Sequence, residues 1–131
     1  MENKDYTVEI LEIIRSNTSP GIMRSRLEDY HANDLAEVFP QLKVSERRKI
    51  CRILDLDMLS DIFEHIDEQE AAEYLDEMDI KKAAAILSAM ETDAVVDVLQ
   101  MIPKEKKNLL IELMDDDARK DMAIIASFDE E

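Results

Sequence analysis

Apolar residues recur along this chain in a twelve-residue frame that runs unbroken from Ala32 to Ser127. Eight units fit end to end: 32–43, 44–55, 56–67, 68–79, 80–91, 92–103, 104–115 and 116–127. Their seventh and eighth positions read Val38/Phe39, Ile50/Cys51, Ile62/Phe63, Tyr74/Leu75, Ile86/Leu87, Val98/Leu99, Leu110/Ile111 and Met122/Ala123. The eleventh reads Leu42, Leu54, Ile66, Met78, Met90, Ile102, Met114 and Ala126. With position 4 added, as in Val95, Val98, Leu99 and Ile102, this is the i, i+3, i+4, i+7 stripe of an amphipathic helix. Strict alternation, the mark of a half-buried strand, is absent.

Position 12 stops one helix and starts the next. Asp55, Asp67, Asp79 and Asp115 occupy it, where a short carboxylate can accept the free N–H groups of a first helical turn. Asp67 and Glu70 also have capping-box spacing, and Pro103 interrupts at the same position of another unit. A twelve-residue unit holds a helix of two to three turns, too short to be stable alone, so neighbours must stabilise it. The expected fold is all-α, a right-handed superhelix of short helices built from twelve-residue repeats. Residues 1–31 break the rhythm. Val8, Ile10, Leu11, Ile13 and Ile14 predict a helix ending before Asn17, and Ile22, Met23, Leu27 and Tyr30 a second after Pro20-Gly21. Both are expected to cap the N-terminal end of the stack, giving a single domain over residues 1–131.

The chain carries 32 acids against 16 bases, a net charge of −16. Nucleic acid and anionic lipid are therefore disfavoured as partners, and divalent cations or basic proteins favoured. No apolar run is long enough to span a membrane, and the N-terminus lacks a signal-peptide pattern, so a cytoplasmic location is expected. Cys51, the only cysteine, sits at a core position and reads as a small buried apolar residue. A single glycine excludes Gly-rich phosphate loops, and His31 and His65 belong to no catalytic constellation. The chain is not expected to be an enzyme.

The repeat frame sorts the acids. Those at position 12 are explained as caps. Asp57/Asp61, Asp93/Asp97 and Asp117/Asp121 instead pair positions 2 and 6, on one helix face nearly opposite the apolar stripe. Like charges at that spacing cost a few tenths of a kcal/mol, which a bound cation would relieve. Two carboxylates supply too few oxygens for Mg²⁺ or Ca²⁺, so a second acidic surface would have to complete the site. The plainer readings of the same residues are a solvated acidic face and, at position 2, complementation of the helix dipole.

The stretch His31-Ala-Asn-Asp-Leu-Ala-Glu-Val-Phe resembles the N-terminal cytoplasmic domain of MgtE magnesium transporters. So do Leu59-Ser-Asp-Ile-Phe, Glu70-Ala-Ala-Glu-Tyr-Leu, Lys82-Ala-Ala-Ala-Ile-Leu and Asp93-Ala-Val-Val-Asp-Val-Leu. The resemblance covers residues 27–131, and the ending from Ala123 looks like that family's junction into a tandem CBS domain. It implies a soluble regulatory domain on the cytoplasmic side of the membrane that senses intracellular Mg²⁺. The ions would be shared with the CBS domain of the same polypeptide and would hold the pore shut in a homodimeric transporter. The ligand positions it implies are Asp93 and Asp97 first, then Asp61, with weak Mg²⁺ binding expected of the isolated domain. The competing reading is a protein-interaction module, since the MgtE N domain is also similar to helical repeats of the flagellar motor switch protein.

Overall fold

The computed structural model describes residues 5–129, with side chains described through Ala123. Ala126 and the junction-like ending after Ala123 lie outside the described side chains. The described residues form ten α-helices and one 3₁₀ turn, without strands. The backbone gathers into two compact units, residues 1–65 and 66–131.

The first unit contains α1 (Thr7–Arg15), α2 (Pro20–Leu27), α3 (Ala32–Val38), the 3₁₀ turn Phe39–Gln41, α4 (Val44–Ile53) and α5 (Leu56–Glu64). The second contains α6 (Glu68–Asp76), α7 (Ile80–Ala89), α8 (Thr92–Leu99), α9 (Lys104–Leu113) and α10 (Asp116–Asp129). From α3 onward the helices open at residues 32, 44, 56, 68, 80, 92, 104 and 116, twelve residues apart each time.

Helices of this length are marginal alone, and the packing shows which neighbours support them. In the first unit α1 packs on α3, α2 on α4 and α3 on α5; in the second α6 packs on α8, α7 on α9 and α8 on α10. Within each unit, alternate helices thus lie against one another. Phe39 and Phe63, both eighth positions of alternate repeats, meet edge to face with ring centroids 5.7 Å apart at 80°. Such a pair contributes about 0.5–1.5 kcal/mol beyond the area it buries. Ile50, Cys51, Ile62, Ile86, Leu87, Val98 and Leu99 are likewise buried, which places the seventh and eighth positions at the centre of each unit's core.

Position 4 is less uniform than the apolar stripe requires. Arg47 occupies it in α4, half-buried, and donates from Nη1 to the carbonyls of Phe39 (3.1 Å) and Leu42 (2.6 Å). Its guanidinium satisfies acceptors at the end of the 3₁₀ turn that a leucine would leave unmet. In the N-terminal segment Tyr30 packs edge to face on Tyr6 at 5.4 Å and donates its hydroxyl to Glu9 at 3.0 Å, tying the end of α2 to α1.

The caps also show a selection. Asp55 accepts from the N–H of Met58 (2.9 Å), Asp67 from Gln69 (3.2 Å), and Asp79 from Lys81 (3.0 Å) and Lys82 (3.4 Å). Asp115 does not follow: its own N–H donates to Ser88 Oγ at 3.0 Å, and its carboxylate makes no capping bond among the described residues. The box-like spacing of Asp67 and Glu70 is not used, because Asp67 turns to the second N–H of α6. At α4, Glu46 reaches back to the Lys43 N–H at 2.8 Å and also receives Arg15 Nε at 2.9 Å.

Asp79→Ala should therefore cost about 1 kcal/mol in urea unfolding, the usual loss for an N-cap. Asp115→Ala should stay within about 0.5 kcal/mol of wild type; equal losses would contradict the distinction. Arg15, the dominant cause, with the Lys43 N–H, holds the Glu46 carboxyl below the usual glutamate range. A depressed folded-state pKa stabilises the protein above the unfolded value, and that contribution is lost as pH falls through the folded one. Glu46→Gln should lower the thermal midpoint at neutral pH and flatten its fall in the acid range. Parallel acid-side curves for the two proteins would contradict this assignment.

Candidate metal-binding carboxylates

Asp93 lies in the first turn of α8 and Asp97 one turn further along. At 100° per residue the two point within about 40° of each other. Val95, Val98 and Leu99 fill the opposite, buried side of the same helix. The apolar residues therefore fix the rotation of α8, and that rotation leaves both carboxylates exposed. Neither forms a hydrogen bond or ion pair through its side chain among the described residues.

Asp61 lies on α5, in the first unit, exposed beside Asp57 on the face opposite Leu59, Ile62 and Phe63. Local bonds hold this helix's backbone. Ser60, a buried hydroxyl, donates to the Asp57 carbonyl at 2.9 Å, and His65 Nδ1 donates to the Asp61 carbonyl at 2.8 Å. His65, exposed at the C-cap, is thus a helix terminator that satisfies one of the last free carbonyls of α5. His31 is exposed at the N-cap of α3 and makes no capping bond with its side chain.

Asp117 and Asp121 line an open cleft of about 470 Å³ with Ser88, Thr92, Asp115 and Asp116, in the second unit. The sequence frame treats Asp117 and Asp121 as a solvated pair. Asp115 and Asp116 directly precede this pair in the sequence, and the N–H of Asp115 is bonded to Ser88 at the end of α7, a contact that no periodicity announces. Arg119 pairs with Asp116 and offsets part of that charge.

Among the described residues no three His, Cys, Asp or Glu side chains converge closely enough to hold a metal ion. The carboxylates of Asp93 and Asp97 do fit a fraction of a Mg²⁺ shell, since that ion commonly takes one or two carboxylates and keeps several waters. What α8 presents is a pair of unpartnered carboxylates on a fixed face.

The sequence matches the family model of the MgtE intracellular N domain over residues 30–131. The chain belongs to that family. As an MgtE N domain it is an intracellular domain, and among the described residues no helix is long and apolar enough to cross a membrane. Two solved structures share the fold. One is the soluble part of a magnesium transporter, 26% identical with a TM-score of 0.80, covering 89% of this chain and 46% of the other. The second is the cytosolic domain of the Mg²⁺ channel MgtE in complex with ATP, 25% identical with a TM-score of 0.76, covering 89% of this chain and 48% of the other. The chain therefore spans slightly under half the length of each. A comparison with curated proteins gives no match.

The unpaired aspartates of α8 repel each other along the helix. Asp97→Asn should raise stability by a few tenths of a kcal/mol at low ionic strength, with the gain shrinking in high salt. Urea unfolding at two salt concentrations reads this directly, and a salt-independent loss would show that Asp97 has a local partner.

Proposed function

We propose that this domain is the magnesium-sensing regulatory element of a magnesium transporter. Asp93 and Asp97, with Asp61 as a further ligand, donate carboxylate oxygens to partly hydrated Mg²⁺ ions. The rest of each shell comes from an adjacent CBS domain of the same polypeptide, in a transporter that is a homodimer. The observation that carries this reading is the unpartnered, outward-facing Asp93/Asp97 pair on a helix whose rotation the core fixes. Family membership supports it, as does the likeness to the soluble part of a magnesium transporter.

The chemistry follows from electrostatics and coordination number. With Mg²⁺ scarce, two acidic surfaces repel and the domains separate. With Mg²⁺ abundant, ions bridge them, because only the closed arrangement gathers enough oxygens around each ion. By linkage, holding the domains together raises Mg²⁺ affinity by the same factor by which Mg²⁺ favours closure. The role is regulatory, and no residue is assigned a catalytic step.

This domain alone should bind Mg²⁺ weakly. Joined to its CBS domain, it should compact on Mg²⁺ addition in small-angle scattering, and Asp93→Ala/Asp97→Ala should abolish the compaction. Equal compaction of wild type and double mutant would overturn the ligand assignment. No compaction in either would favour the protein-docking reading.

A further inference from the structure

Charge is unevenly spread along this acidic chain. Residues 1–65 carry nine bases against thirteen acids, whereas residues 66–131 carry seven against nineteen. In the first unit the bases concentrate on α4, where Arg47, Arg48, Lys49 and Arg52 stand against one acid, Glu46. Helix α4 packs on α2, which adds Arg24 and Arg26. Between them opens a cleft of about 490 Å³ lined by Pro20, Gly21, Arg24, Lys49, Arg52 and Ile53. Three cations and no acid line it.

The three differ in what else they do. Lys49 Nζ donates to the Ile14 carbonyl at 3.0 Å, near the end of α1, so part of its role is structural. Arg24 is shared with Glu28 Oε2 at 3.3 Å and Asp55 Oδ2 at 3.6 Å, neither of which lines the cleft. Arg52 is exposed and has no hydrogen bond or ion pair among the described residues. The Arg52 guanidinium is therefore available to an anion, which would also relieve the mild repulsion among the three cations.

The opposite wall is the first turn of α2, and it holds the chain's only glycine, Gly21. Glycine weakens a helix relative to alanine, and here neither internal reason for it applies. Its φ is not positive, and a Cβ placed on it would meet nothing within 4 Å. No part of the protein needs the space. The missing side chain instead leaves the backbone at the positive end of α2 uncovered on the wall of a cationic cleft. A glycine at such a place leaves room for close approach of a ligand to the backbone.

We propose that this cleft binds a phosphoryl oxyanion. Arg52 and Arg24 donate to its oxygens, Lys49 adds charge, and the Gly21 N–H contributes a donor from the helix N-terminus. Arg24 is drawn from Glu28 and Asp55 to the stronger multidentate acceptor. A phosphoryl group suits the site better than a carboxylate, because its oxygens can meet donors from both helices at once. The group reaches the cleft either as a free phosphate or as a lipid headgroup.

Amide-resolved NMR titration of the full chain with inorganic phosphate, at constant ionic strength set by chloride, tests this. Saturable shifts should appear at Gly21–Arg24 and Lys49–Ile53. Arg52→Glu should fold as wild type and lose at least about tenfold in affinity, the loss expected for a charge-assisted bond to an anion. Gly21→Ala should keep or gain helix and still bind phosphate severalfold more weakly. In a parallel arm, phosphatidic acid vesicles are compared with phosphatidylcholine vesicles. Capture by phosphatidic acid alone, lost in Arg52→Glu and without shifts by free phosphate, assigns the group to a lipid. Shifts by neither source, or Arg52→Glu and Gly21→Ala titrating as wild type, overturn the proposal.

Discussion

A helix of two to three turns is not stable in water, and the rest of this structure depends on how that shortage is met. Within each unit a helix places its apolar stripe against the next but one, and eighth positions of alternate repeats meet, as Phe39 and Phe63 do. Because the stripe is narrow, burying it leaves each helix one allowed rotation. The outward face is then as well defined as the core. Asp93 and Asp97 project from α8 in a fixed direction because Val95, Val98 and Leu99 must point the other way.

The acids divide by the work they do. Asp55, Asp67 and Asp79 are consumed at helix N-termini, and Glu46 is held by Arg15 and the Lys43 N–H. What remains without a partner among the described residues includes Asp61 on α5 and Asp93 and Asp97 on α8, whose exposed charge costs a little stability. That fits a domain of the MgtE intracellular N family. The regulatory reading asks the domain to be incomplete: a site that could fill its own coordination shell would bind Mg²⁺ without moving anything.

Much of the fold was legible because helix starts, caps and core positions all share one period. The acids at position 12 and Pro103 mark the boundaries, and the helices open where that frame places them. The faces of Asp61, Asp93 and Asp97 follow from the same angle arithmetic. Three features were not legible, each for a reason in the packing. Arg47 stands at a core position because its guanidinium serves two carbonyls of a 3₁₀ turn, which a hydropathy pattern cannot foresee. Asp115 makes no capping bond through its carboxylate among the described residues, and its N–H is instead bonded to Ser88, a residue 27 positions earlier. The cationic cleft joins α2 to α4, which α3 and the 3₁₀ turn separate along the chain.

The most direct test of the sensor reading is anomalous scattering from Mn²⁺ in crystals of this domain joined to its CBS domain, with Mn²⁺ standing in for Mg²⁺. Peaks within coordination distance of the Asp93 and Asp97 carboxylates and of an oxygen from the CBS domain are the predicted result. Mn²⁺ bound elsewhere, with both aspartates facing only solvent, would contradict it.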